Sequence, residues 1–398
     1  MTERVPVADW ATDFDHTDPA YNQRVHEIWD DLRERCPVAH TDRFGGTWLP
    51  TRHEDISAIA YDTEHYTSQG VVVSPNRPDE PPPLGPAPPI TSDPPVHGEA
   101  RKLLLPPFSP KVIANWEDTT RQLCRDLIEA LPVTDGVVDA AQHYTQHIPV
   151  KVIAAMLGVP ETDGDLFRHF ISMILENPGS AADLPEEETL EYYLNERILE
   201  HRDEPQDDLI SYLLGVEFAG EPLSERHIVG TVLLLLIAGI DTTWSAIGSS
   251  LWHLATHPDD RQRLVDEPEL ISTAVEEFLR AYAPVTMARL VAEDHDLHGC
   301  PVKAGEWMLL PFPAANRDPE FFERADEVII DRAKNRHAAF GLGIHRCLGS
   351  NLARLELRVA LEEWLAAIPE FSLADGTEVR WSTGQIRGPR ELPFHLGP

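Results

Sequence analysis

The sequence predicts a mainly α protein with a small β part, built as a single large domain. Three observations carry this. Apolar residues recur at helical spacing along most of the chain, as in 19–35, where Tyr21, Val25, Ile28, Trp29 and Leu32 share a face after the Asp18-Pro19 start. Strand-like runs are few and short, near 43–50, 289–294, 306–310 and 371–373. One long break interrupts the pattern: Ser74–Pro95 holds ten prolines, which remove backbone donors and block helix interiors. A connection of that length is a functional lid or a linker. No comparable break follows, so residues 1–398 read as one domain.

Further helices are predicted over 53–60, 97–105, 110–131, 142–157, 162–175, 186–201, 206–215, 224–256, 259–265, 269–282 and 349–367. Charged residues make up 25% and hydrophobic residues 42%, an ordinary globular mix that excludes wholesale disorder. The formal charge of -34 excludes general binding to nucleic acid or to an anionic membrane, since both need a positive surface. Cys36, Cys124, Cys300 and Cys347 are widely spaced with no CxxC pair, against a disulfide scaffold or a structural zinc module. The N-terminus lacks an apolar signal segment. The longest apolar stretch, Ile228–Ile240, falls short of the roughly 20 residues of a membrane span. A cytoplasmic location is expected.

The densest chemistry is Phe340-Gly341-Leu342-Gly343-Ile344-His345-Arg346-Cys347-Leu348-Gly349. Its glycines permit a tight turn and close backbone approach to a ligand. A helical pattern starts directly after it, so Cys347 lies ahead of a helix N-terminus, which favours a thiolate. A lone cysteine is more often buried and inert. Zinc lacks further ligands at suitable spacing, and a cysteine hydrolase remains open on the residues alone. The segment resembles the haem-binding signature of the cytochrome P450 superfamily, Phe-Gly-x-Gly-x-His-x-Cys-x-Gly. The resemblance implies a triangular P450 fold over about 10–398, haem b as cofactor and Cys347 as axial thiolate to the iron, with Phe340, Gly341 and Gly349 in the loop that holds it. A thiolate ligand pushes electron density onto iron and favours O–O cleavage.

A second group, Ala238-Gly239-Ile240-Asp241-Thr242-Thr243, lies within a long helical pattern that Ser224 caps. Glycine in a helix interior costs about 1 kcal/mol, and an acid on an apolar face is expensive unless paired or solvated. Local rules break in this way at functional sites, and a bulge with inserted water is one expectation. An exposed Asp, with threonines bonding back to the preceding turn, is the plain alternative. The group resembles the oxygen-binding groove of the same superfamily. That implies hydrogen bonding to the reduced dioxygen by Thr242, proton entry through Asp241, and room for dioxygen beside Gly239 and Ala238.

Glu277 and Arg280 stand three apart on a helical pattern and can pair; the resemblance makes them a structural ion pair, completed by a later arginine. Haem propionates need cationic partners. By resemblance these are His97 and Arg101, four apart on one helix, with Arg289 and His345. The 70–96 segment is expected over the distal pocket and 160–202 as lid helices. Val71, Ile90, Leu234, Ala238, Val285, Thr286, Gln385 and Ile386 are candidate pocket residues. They are mostly small and apolar, which suggests a small or medium apolar organic substrate.

The implied reaction is insertion of one oxygen atom from O2, by hydroxylation or oxidative dealkylation. A peroxide-driven peroxygenase and a haem sensor without turnover are the alternatives; the Asp241-Thr242 pair argues against the former. The chain carries no nucleotide-binding glycine fingerprint and no ferredoxin-type cysteine set, so a ferredoxin or a fused-type reductase is expected to supply electrons. Residues 236–258, 335–364 and 381–390 resemble haem domains of self-sufficient, reductase-fused members. Arg332, Lys334, Arg336, Arg346, Arg354 and Arg358 against Asp331 and Glu356 make the Cys347 region locally basic, suited to an acidic ferredoxin.

Overall fold

The computed structural model describes residues 6–74, 77, 85–176 and 185–397. Of the expected loop 70–96, residues 75–76 and 78–84 lie outside this description, as do 177–184 of the expected lid 160–202.

Helices dominate. The principal helices are α1 (His53–Tyr61), α2 (Val96–Leu104), α3 (Glu117–Glu129), α4 (His147–Leu157), α5 (Gly164–Ile171), α6 (Leu190–Asp203), α7 (Glu225–Thr256), α8 (Ile271–Ala281) and α9 (Ser350–Ala367). Several begin where side chains satisfy free amides: Ser224 accepts from His227 N at α7, and Thr189 from Tyr192 N at α6. Gly158 ends α4 in the left-handed region, φ +79.

Some expected helices are broken. The 19–35 pattern divides at Arg24, whose φ of -117 leaves the helical region. The 110–131 pattern starts as Pro110–Ile113, tightens through Ala114–Trp116 and resumes as α3. The expected strand 289–294 runs instead over Thr286–Val291.

A five-stranded sheet forms from β1 (Val38–Thr41), β2 (Thr47–Pro50), β3 (Tyr66–Thr67), β4 (Thr286–Val291) and β5 (Trp307–Pro311), in spatial order β1-β2-β5-β4-β3. β2 and β5 are parallel with Trp307 beside Thr47; the other neighbours are antiparallel, with Leu309 beside Ala288. A three-stranded sheet joins Phe371–Leu373, Pro393–Leu396 and Val137–Asp139. Period-2 patterning is too short to read in strands of two to four residues, which is why most of these escaped the sequence.

Two hydrophobic cores result, one among the helices and one under the five-stranded sheet. α7 runs through the helical core and packs against α4, α6 and α9. By length and composition this 32-residue helix could cross a membrane, because the apolar pattern continues past Asp241. Most of it is instead buried against protein: Asp241, Ser245, Ser250 and His253 are wholly enclosed.

The Glu277–Arg280 pair is fully enclosed and anchors this core. Arg280 donates to both Glu277 oxygens at 2.8 and 2.9 Å. It also donates to the carbonyls of Asn316, Ala325 and Glu327. Glu277 further accepts from Arg332 Nε, Asn335 Nδ2 and the Ile329 amide. A buried charge pair holds when its remaining lone pairs and protons are satisfied in this way.

Candidate active site

The cysteine loop is held from three sides. Cys347 N donates to Phe340 O at 2.7 Å, closing the turn. Gly341 and Gly343 have φ of +72 and +69, and a Cβ on Gly343 would lie 2.1 Å from Ala60 O of α1. Only glycine lets the loop seat on that helix. Glu276 of α8 binds Arg354 and His337, and the Arg354 guanidinium lies 4.4 Å over the Phe340 ring. α9 leaves directly behind.

A cavity with about 1430 Å³ of non-atom space, open to solvent, lies between this loop and α7. Phe340, Gly341, His345, Cys347 and Gly349 line one side; Leu234, Ala238, Gly239, Thr242 and Thr243 of α7 line another. Cys347 is exposed only in the sense that its face opens into this cavity; protein encloses it elsewhere. Burial pushes its thiol up, while the Gly349 amide and Arg101, Arg346 and Arg354 oppose the shift.

Four basic side chains gather from three elements; Arg101, Arg289 and His345 line the cavity, and His97 packs behind them on His345. α2 supplies His97 and Arg101, β4 supplies Arg289 and the cysteine loop supplies His345. The His97 and His345 rings lie 4.4 Å apart. Arg289 is pushed down to about 10 by burial and His345 to about 2, by burial and then by Arg289, His97 and Arg101. Neither arginine has a carboxylate partner among the described residues: Arg101 donates to Arg346 O and Arg289 to Ala288 O. His97 Nε2 is buried with no hydrogen-bond partner. Such crowding is unfavourable until an anion arrives. A soft sulfur donor on one wall and uncompensated cations at the edge fit the haem group that the sequence resemblance implies. Cys347 would hold the iron, and His97, Arg101, Arg289 and His345 the propionates.

The α7 group departs from expectation in two ways. The helix is unbroken α-helix through Gly239–Thr243, with no bulge, and Thr242 Oγ1 donates back to Ala238 O at 2.8 Å, as the plain alternative has it. Asp241 is neither exposed nor in the cavity wall. It is fully buried and paired with Arg390 at 2.8 Å. Arg390 also donates to Ser245 Oγ and lies 4.3 Å over the Trp244 ring. The absent Cβ of Gly239 points at Ile153 of α4, at 3.4 Å from Cγ1. The close approach there is between helices.

Ile90 and Val285 line the cavity as expected; Val71, Thr286, Gln385 and Ile386 do not. Those four tie the C-terminal loop behind the wall. Gln385 Nε2 donates to Val71 O, Thr286 N donates to Gln385 O, and Ile386 bridges Val285. No described residue of 160–202 lines the cavity either. Sequence reading missed Arg390 as the partner of Asp241, and Met287, Leu352, Ala353 and Leu357 as wall. The alternation of β4 and the apolar stripe of α9 were the available signals for the last four.

The basic region around Cys347 is smaller than its charges suggest. Arg332 is committed to Glu277, Arg354 to Glu276 and Arg358 to Glu117 and Glu362. Lys334, Arg336 and Arg346 remain exposed.

Comparison with known proteins agrees with this geometry. The sequence model of the family described as "Cytochrome P450" matches residues 165–376. The chain is 34% identical to a mycinamicin IV hydroxylase/epoxidase of Micromonospora griseorubida, covering 92% of this chain and 94% of that protein. It is 37% identical to a vitamin D(3) 25-hydroxylase of Pseudonocardia autotrophica, covering 94% of each. The crystal structure of CYP109E1 from Bacillus megaterium in complex with testosterone superposes with a TM-score of 0.86 at 30% identity, covering 96% of this chain and 100% of that one.

Proposed function

The chain belongs to the cytochrome P450 family, and from that premise we propose which residues carry its reaction and what it accepts. It is a haem-thiolate monooxygenase that inserts one oxygen atom from O2 into an organic substrate. When bound, haem supplies the oxygen activation. The remaining work falls to the chain.

Cys347 would hold the iron, and the Gly349 amide beside its sulfur would limit how much charge it donates. Arg101, Arg289, His345 and His97 neutralise and orient the propionates. Thr242 and Thr243 carry the only hydroxyl side chains among the lining residues. In our reading, Thr242, whose hydroxyl bonds Ala238 O, would turn it toward the cavity and offer it there as a hydrogen-bond donor. Asp241, held by Arg390 behind the cavity wall, would relay protons to it from the buried side. The apolar walls exclude bulk water, so proton supply stays with these side chains. The observation that carries this assignment is that Cys347 and Thr242 line one cavity from two separate elements.

For the substrate, Ile90, Leu234, Leu235, Ala238 and Val285 give an uncharged apolar surface, and the basic groups of the lining are the three assigned to the propionates, Arg101, Arg289 and His345. An uncharged, mainly apolar molecule of medium size fits. The relatives' names, with mycinamicin IV, vitamin D(3) and bound testosterone, point the same way. The electron donor is an acidic ferredoxin, steered by Lys334, Arg336 and Arg346, and the protein works in the cytoplasm.

The test is turnover of the purified haem protein with a ferredoxin system and a panel of neutral terpenes, steroids and macrolactones. A low- to high-spin Soret change with one class, followed by its hydroxylated product, is expected. Thr242→Val should retain haem but divert at least tenfold more reducing equivalents to peroxide, about 1.4 kcal/mol of lost discrimination. Unchanged coupling would remove Thr242 from proton handling.

A further inference from the structure

We propose that Gly230 and Thr231 of α7 set the width of the substrate cavity by seating the proline-rich loop, so that two positions outside the cavity wall decide how bulky a substrate is accepted. The inference deepens the reading of this cavity as the substrate pocket and rests on it.

The loop and the helix meet at one place. A Cβ on Gly230 would lie 2.2 Å from Pro86 O and 3.1 Å from Pro88 Cδ, so the loop backbone occupies the space a side chain would fill. Next to it, buried Thr231 donates from Oγ1 to Pro88 O at 3.2 Å. From there the two chains diverge into the two walls. On the loop, Pro89 and Ile90 line the cavity; on α7, Leu234 and Leu235 do, four residues beyond Gly230 and Thr231 and therefore on the same helix face. The separation of those walls is set at the point of attachment.

The loop also transmits a displacement. Ala87 N donates to Thr91 Oγ1 at 2.9 Å, Thr91 N to Ala87 O at 3.2 Å, and Ser92 N to Pro89 O at 3.2 Å. Residues 87–92 are thus hydrogen-bonded to one another, so a shift next to Pro86 is carried to Pro89 and Ile90. A methyl at position 230 meets a backbone carbonyl and not a flexible side-chain end. Reaching ordinary contact, 3.4 Å or more, requires the carbonyl to retreat from 2.2 Å by at least about 1.2 Å, which carries Pro89 and Ile90 away from Leu234. Alanine is also the better helix former, so Gly230→Ala should not weaken α7 itself.

The experiment compares two iron-binding azoles on the haem protein by visible titration. Imidazole is the smaller probe; 4-phenylimidazole adds an apolar ring that, on this reading of the cavity, would reach the wall formed by Pro89 and Ile90. Gly230→Ala should weaken 4-phenylimidazole roughly tenfold relative to imidazole, 1.4 kcal/mol at 25 °C. Thr231→Val, which removes the hydrogen bond without adding volume, should shift the ratio in the same direction and by less. If Gly230→Ala fails to fold, Thr231→Val decides alone. A wild-type protein that responds to both azoles, with a ratio unchanged in the folded variants, overturns the inference and leaves the function standing. A wild-type protein that responds to neither overturns the reading of the cavity itself, and this inference with it.

Discussion

Replacing Glu356 by glutamine should change how stability depends on pH. Glu356 lies on α9, one turn beyond the cavity-lining Leu352 and Ala353. It is 2% exposed, and its Oε2 has no hydrogen-bond partner. Burial alone pushes its carboxyl up to about 8 from an ordinary 4.5. Below about pH 4.5 it is protonated in both folded and unfolded chains and has no effect. Between about 4.5 and 8 the unfolded chain ionises while the folded one stays neutral, so stability falls as pH rises, by about 1.4 kcal/mol per unit. Over that window the loss is on the order of 5 kcal/mol, levelling off above pH 8. Glu356→Gln keeps the shape and removes the titration. The expected result is a variant whose advantage over wild type grows steadily from pH 5 to pH 8, on top of a constant offset for the buried amide. Denaturant unfolding followed by circular dichroism across that range measures it. Parallel curves for the two proteins would mean that Glu356 is ionised in the fold, with a compensating partner, and would refute the argument.

Two further outcomes test the buried charge pairs. Arg390→Leu leaves Asp241 enclosed without its counter-charge and should cost about 3–5 kcal/mol; adding Asp241→Asn should recover most of that, which a double-mutant cycle by denaturant unfolding reads directly. Arg280→Lys cannot reproduce the forked contact with Glu277 together with three carbonyl contacts. It should lower stability by about 3 kcal/mol or more, and the ratio of Soret to protein absorbance after purification should fall with it.

The chemistry of this protein was legible where it is local in the chain. The cysteine loop depends on glycines at fixed offsets from Cys347, and a turn of that kind is specified by its own residues. The helices were legible because a 3.6-residue period repeated over three or more turns stands out. The pairing of Glu277 with Arg280 needs only one helical turn. The cationic edge formed by His97, Arg101, Arg289 and His345 came through resemblance, residue by residue.

Contacts between distant segments were decided only by tertiary structure. Asp241 has a helical neighbour set that says nothing of Arg390, which arrives from the far end of the chain and turns an apparently solvated acid into a buried, paired one. The arginines around Cys347 looked like a basic face until Glu117, Glu276, Glu277 and Glu362 took three of them. Gln385 and Thr286 read as pocket residues but hold the wall from behind. The apolar run of α7 read to Ile240 falls short of a membrane span, whereas the whole of α7 is long and apolar enough for one, and most of it is buried in the core. Sequence periodicity records which face of an element is apolar. It does not record which element covers that face, because that choice is made by packing and charge neutralisation across the whole fold.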